Sequence, residues 1–194
     1  MSKTVNIMLA GVGGQGVLLA SEVISRAALK EGYDVKKSEV HGMAQRGGSV
    51  VSNVRFGEKV YSPLIAEGEA DILLAFEKLE ALRWIDYLKP DGMVITNTQR
   101  IDPLTVATGK AEYPDNVLDA LQNTGHKIVS LDALTAAREA GSQKAINTVL
   151  IGALVNYTDI DKSVYQEVIE ESVPPKTIEV NNTAFAEGFA QVQK

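Results

Sequence analysis

Cysteine is absent from this chain of 194 residues, and histidine occurs only at His41 and His126. No cysteine means no disulfide, no thiolate nucleophile, and no cluster or zinc ion held by cysteine sulfur. Two histidines far apart do not make a metal site, so none is expected. No stretch approaches the ~18 consecutive apolar residues of a membrane span. The opening MSKTVNIML lacks the long apolar core of a secretory signal peptide. A cytoplasmic location is expected, with no membrane contact. Clustered lysine and arginine are missing too, and the net charge is −6. Phosphate-backbone binding needs such clusters, so nucleic acid is not an expected partner.

What is present is enough chain for one domain, residues 1–194. A domain of this size removes roughly 70% of its unfolded surface from water. TVNIMLAG is a short apolar run ended by glycine, the pattern of a buried parallel strand. In the next segment Val17, Ala20, Ile24, Ala27 and Ala28 recur at helical spacing, and Gly32 stands just beyond. DVKKSEV follows as a second strand, so the start predicts a parallel strand–helix–strand unit. SVVSNVRFGEKVYSP alternates polar and apolar residues, predicting a β-hairpin turning at Gly57-Glu58. ADILLAF, MVITN and KIVSL are further strands, with KPDG a turn before MVITN. EKLEALRWIDYL is an amphipathic helix, and DALTAAREAG a helix capped by Asp132. Residues 100–126 read as an extended piece and then a short helix.

AINTVLIGALVNY is apolar nearly all round, so this helix is buried on every side or lies at a subunit interface. DKSVYQEVIEESVPP is a helix stopped by Pro174-Pro175, and NNTAFAEGFAQVQK a last short helix. The expected fold class is α/β: a Rossmann-like, mostly parallel sheet with helices on both faces and an inserted β-hairpin.

GVGGQG matches G-x-G-x-x-G through Gly11, Gly13 and Gly16, between a strand and a helix. In that setting Gly11 permits a tight turn, Gly13 a close backbone approach to phosphate, and Gly16 close helix–strand packing. The helix start offers N–H groups to an anion. Glu39 ends the second strand, about where a ribose-binding acid stands in dinucleotide folds. EVHGMAQRGGSV, residues 39–50, starts on the same ligand-facing edge of the sheet. Two glycine-rich loops should therefore lie side by side. Gly47 and Gly48 let the backbone come close, Arg46 offers a planar fork for carboxylate or phosphate, and Gln45 adds a donor and an acceptor. His41 could act as a base near neutral pH or hold a structural position. Asn147 enters the apolar helix as a local hydrogen-bonding residue or as one that faces a partner. Glu77 and Asp71 read as caps or solvated carboxylates rather than a catalytic pair.

Taken together, GVGGQGV, EVHGMAQRGGSV and AINTVLIGAL resemble the gamma-type subunit of 2-oxoacid:ferredoxin oxidoreductases, and HGMAQRGG is most similar to the beta subunit of indolepyruvate ferredoxin oxidoreductases. The resemblance implies oxidative decarboxylation of a 2-oxoacid with thiamine diphosphate, acyl transfer to coenzyme A and electron flow through iron–sulfur clusters to ferredoxin. It implies that thiamine diphosphate, magnesium and the clusters sit on a large catalytic partner, because this chain has no cysteine and no GDG run. The chain would be inactive alone and work in a hetero-oligomer. Gly11, Gly13, Gly14, Gln15 and Gly16 would form a loop facing an anion, such as coenzyme A, or the partner. Gln45, Arg46, Gly47 and Gly48 would close the adjoining edge. The rivals are a stand-alone NAD(P)-dependent dehydrogenase, resting on the fingerprint and Glu39, and a nucleotide-binding module without chemistry.

Overall fold

A computed structural model describes residues 4–41 and 48–192. The chain runs β1 (Val5–Val12), α1 (Val17–Lys30), β2 (Asp34–His41), β3 (Ser49–Gly57), β4 (Ala70–Ala75), α2 (Lys78–Arg83), β5 (Leu88–Asn97), α3 (Leu104–Ala107), α4 (Val117–Gln122), β6 (Lys127–Leu131), α5 (Ala133–Glu139), α6 (Ile146–Val155), α7 (Lys162–Ser172) and α8 (Ile178–Gln191). The six strands form one sheet in the order β2-β3-β1-β4-β5-β6. β1, β4, β5 and β6 pair in parallel, and β3 is antiparallel to both of its neighbours. This is the expected α/β class. From β1 the chain goes first to one side and later to the other. The switch therefore falls between the carboxyl ends of β1 and β4, where open α/β sheets place their ligands.

The hairpin exists, but not where the alternation placed it. It consists of β2 and β3, with register Asp34↔Gly57 through His41↔Val50. The glycine-rich stretch after His41 is its connection. Gly57-Glu58 ends β3 instead of turning it. β3 is long and two-sided because Val50, Val51, Val54 and Phe56 are all buried. Its insertion also separates β2 from β1, so β1-α1-β2 is not a pair of adjacent strands. Two smaller differences follow from packing. Pro90-Asp91-Gly92 lies within β5 at a register shift opposite Ala70–Ile72. The last helix starts at Ile178, before the NNTAF segment.

Each face of the sheet has its own core. On one face Ile7, Leu9, Ile72, Leu74 and Ile95 meet α1, α5, α6, α7 and α8. On the other Met8, Ala10, Leu73, Ala75 and Val94 meet Ala81 of α2 and Val117 and Leu121 of α4. The buried positions of α1 include Val17, Ala20, Ile24, Ala27 and Ala28, the stripe that the spacing picked out. α6 is buried at every position from Asn147 to Val155. Burying an aliphatic side chain is worth about 1.5–3 kcal/mol, so Leu150, Ile151 and Leu154, each at most 1% exposed, make α6 the keel of the larger core. It can sit that deep because glycines permit backbone contact with α8. A Cβ on Gly188 would overlap the Val149 carbonyl, and one on Gly152 the Phe185 carbonyl. Among the described residues, no helix is long and apolar enough to cross a membrane.

Candidate functional site at the carboxyl edge of the sheet

The glycine loop joins β1 to α1 at the switch point. A Cβ on Gly11 would come within 2.8 Å of Phe76 Cβ and Val17 Cγ2, so this glycine serves close packing between neighbouring elements. Gly14 and Gly16 have φ of +104° and +82°, a region costly for other residues. The Gly13 N–H donates to the Gly48 carbonyl at 2.9 Å, which brings the last glycine of the second glycine-rich stretch against the first loop. It is therefore engaged within the chain, not offered to a phosphate.

Gln15 closes the loop from within. Its Oε1 accepts from the Val12 N–H at 2.8 Å, and its Nε2 donates to the Phe76 carbonyl at 2.8 Å. The side chain thus spans the crevice between β1 and β4. Asn97, at the tip of β5, donates to the same Phe76 carbonyl at 3.3 Å and accepts from the Ala133 N–H at 3.2 Å. The carboxyl ends of three parallel strands are linked by side-chain amides.

The open space lies beside this seam. A cavity of about 460 Å³ is lined by Gly14, Gln15 and Gly16 on one side and by Lys144, Ile146 and Asn147 on another, with Gln99, Ile101, Leu134 and Leu19 around it. The start of α1 has no side-chain cap, whereas α6 continues from a 3-10 turn, Gln143–Ala145, that the Ser142 side chain caps through the Lys144 N–H. α1 reaches this cavity with its partial positive end. Asn147 is 4% exposed, and a Cβ on Gly16 would stand 3.0 Å from its Nδ2. Its carboxamide lines the cavity and has no hydrogen-bond partner among the described residues. Its polar atoms still reach the open space of the cavity, where a ligand or a water can pair with them. Leu18 and Leu19, 36% and 37% exposed, continue the rim as apolar surface.

Gly14, Gln15, Gly16 and Asn147 are thus brought together. Gly48 lies apart, in a cleft of about 210 Å³ with Val12, Ser49, Glu80, Arg83, Pro103 and Thr105. His41 ends β2 opposite Val50. Gln45, Arg46 and Gly47 lie outside the described residues. Glu39 does not take the ribose-binding position. It lies opposite Ser52 of β3, which itself pairs with Leu9 of β1, so a whole strand intervenes. Glu39 instead meets Lys37 at 3.0 Å. Asp71 accepts from the Asn6 N–H at 2.9 Å and from Lys89 Nζ at 2.6 Å.

Sequence reasoning missed Lys144, Gln99 and Ile101. Lys144 stands just before the apolar helix, and that adjacency was the available signal. Gln99 and Ile101 begin a segment without periodicity, where no signal existed. Glu77 does cap α2, its Oε2 accepting from the Leu79 and Glu80 N–H groups at 2.7 and 3.0 Å. It is also 1% exposed, a burial that composition did not announce. Among the described residues, no group of three or more His, Cys, Asp or Glu side chains could hold a metal ion.

A mixed sheet with an inserted antiparallel strand, a glycine loop closed on its own glutamine and an edge cavity defines a gamma-type oxidoreductase domain rather than a dinucleotide-binding one. Residues 6–191 match the pyruvate ferredoxin/flavodoxin oxidoreductase family, and the chain belongs to that family. It is 49% identical over 193 residues to the indolepyruvate oxidoreductase subunit IorB of Thermococcus kodakarensis, covering 96% of this chain and 95% of that one. The subunit of the same name from Pyrococcus horikoshii is 46% identical, with 94% and 93% covered. In fold it is similar to the keto/oxoacid ferredoxin oxidoreductase gamma subunit of Geobacter sulfurreducens, with a TM-score of 0.72, 23% identity, and 96% and 97% of the two chains covered.

Proposed function

We propose that this chain is the non-catalytic subunit of a 2-oxoacid:ferredoxin oxidoreductase acting on indolepyruvate or another aryl pyruvate. The substrate carboxylate leaves as carbon dioxide. The acyl group passes to the thiol of coenzyme A, and the electron pair passes to ferredoxin. Thiamine diphosphate with magnesium supplies the decarboxylation chemistry, and iron–sulfur clusters carry the electrons. A chain without cysteine supplies no sulfur ligands for such clusters, so they belong to a large partner subunit.

The observation that carries the assignment of the site is the carboxamide of Asn147, on an otherwise buried residue, opening onto the cavity at the glycine loop. With Lys144 and the uncapped start of α1, the cavity suits an anionic ligand of coenzyme A's kind. The apolar rim of Leu18 and Leu19 suits the catalytic subunit. The chain's own residues bind and orient there, and no nucleophile or base is assigned to them. Arg46 and Gln45 belong to this proposal on the strength of the sequence alone, and His41 remains a positioning candidate.

The test is reconstitution with the catalytic subunit encoded in the same organism. Indolepyruvate and coenzyme A together should reduce ferredoxin only when both chains are present. Asn147→Ala should raise the KM for coenzyme A. A purified chain that reduces an acceptor by itself would overturn the assignment.

A further inference from the structure

The connection from β5 to α4 spans residues 98–116 and crosses the carboxyl edge of the sheet. It supplies Gln99 and Ile101 to the cavity beside the glycine loop and Pro103 and Thr105 to the cleft beside Gly48. Little of it is packed: residues 107–112 are all exposed. A segment with so few buried apolar contacts needs polar anchors to hold one position.

Its anchor is Glu77. One oxygen, Oε2, caps α2. The other, Oε1, faces the connection and accepts from the Tyr113 hydroxyl at 2.6 Å and from the Ile101 N–H at 3.4 Å. These two donors come from the two ends of the connection. Tyr113 is 7% exposed. The Arg100 guanidinium lies 4.3 Å from the centre of its ring, and Arg100 Nε meets Asp102 Oδ1 at 2.6 Å. Lys78 stands over the ring as well, at 5.6 Å. Burial first, and then the bond to Glu77, push the Tyr113 hydroxyl well above its ordinary value of 10.0, so it remains a donor throughout the working pH range. Asn97 completes the hold by donating to Gln99 Oε1 at 3.3 Å.

The geometry points to Glu77 as a positioning residue. Its buried carboxylate staples both ends of the 98–116 connection to the sheet edge and so sets the wall of the cavity that Gln99 and Ile101 form. The carboxylate touches no ligand and acts through those two residues. This inference rests on the cavity being the coenzyme A site. It adds that the shape of the cavity is controlled from the start of α2, by a residue outside both glycine-rich stretches.

The experiment uses the complex with its catalytic subunit and the variants Tyr113→Phe, Glu77→Gln and Glu77→Ala. Tyr113→Phe keeps the ring and removes one donor, so the chain still folds and assembles. Hydrogen exchange over residues 99–113 should speed up about tenfold, with other segments unchanged. The KM for coenzyme A should rise about three- to tenfold while kcat stays within about twofold, because only the wall is displaced. Glu77→Gln keeps an oxygen for the α2 cap and should fall between wild type and Tyr113→Phe, and Glu77→Ala should be the most severe. Unchanged exchange in Tyr113→Phe overturns the staple. Faster exchange with an unchanged KM for coenzyme A overturns control of the cavity. A wild-type complex that shows no dependence on coenzyme A overturns the functional assignment instead, and leaves the exchange result to judge the staple alone.

Discussion

The Gly13 N–H and the Gly48 carbonyl meet at 2.9 Å and join the two glycine-rich stretches of the chain at the sheet edge. The loop between β1 and α1 therefore cannot be reshaped without disturbing Gly48, just before β3. Gln15 is the second lock, and its loss should be measurable. Gln15→Leu leaves the Val12 N–H without its acceptor and should destabilise the chain by about 1–3 kcal/mol. Urea unfolding of the two proteins, with equal m-values, gives the difference. A midpoint identical to wild type would show that the lock carries nothing.

NAD(H) should not bind. The Gln15 side chain spans the crevice where a pyrophosphate would approach, and β3 separates Glu39 from β1. Calorimetric titration of the chain with NAD and NADH should give no heat of binding at millimolar ligand. A stoichiometric isotherm would restore the dehydrogenase reading.

Gly188→Ala should be among the most damaging single changes outside the edge. The new methyl group would meet the Val149 carbonyl of α6, which is backbone and cannot swing aside. Overpacking of this kind costs about 1–3 kcal/mol. Thermal unfolding should show a clearly lowered midpoint, and α6 amides should lose protection first. A wild-type midpoint would mean that α6 and α8 can separate freely.

Tyr165 sets an alkaline limit. Its hydroxyl is fully buried, and burial raises its pKa well above the ordinary 10.0, with the contact to Thr158 opposing the shift. The folded chain then keeps a proton that the unfolded chain releases above that value. This contribution to stability is intact below pH ~10 and fades as pH climbs beyond it. Tyr165→Phe should flatten the loss of stability between pH 10 and 11.5, as followed by circular dichroism. Equal slopes for both proteins would contradict the linkage.

Leu19→Glu places a charge on the apolar rim of the cavity. It should leave the fold of the isolated chain unchanged and weaken assembly with the catalytic subunit. Size-exclusion chromatography of the mixed chains would show the complex dissociating at concentrations where wild type holds together. Undiminished assembly would move the interface elsewhere.

The buried strands, the stripe of α1 and the all-round apolarity of α6 were legible because each follows from a repeat in the chain. The glycine fingerprint was legible as a motif but misleading in its details. Nothing in GVGGQG says that Gln15 turns inward or that Gly13 bonds to Gly48. The hairpin was displaced for a related reason. Alternation around Gly57-Glu58 resembles a turn, yet the pairing of β3 with both β2 and β1 is a long-range choice that local pattern does not encode. The Glu77–Tyr113 bond links residues 36 apart in sequence, through a segment with no periodicity. At Asn147 the residue type drew notice. Its burial against Gly16 became visible only when α1 and α6 were brought together.

The depth of α6 has a consequence for how the protein is made. The sheet face formed by Ile7, Leu9, Ile72, Leu74 and Ile95 is complete once β5 is synthesised, but its cover is not. α6 comes some fifty residues later and depends on Phe185 and Gly188 of α8, later still. During translation the nascent chain therefore carries an apolar sheet face covered only in part, by α1, until α8 has cleared the ribosome. Such a surface invites chaperones, and the larger core closes only when the last helix is in place.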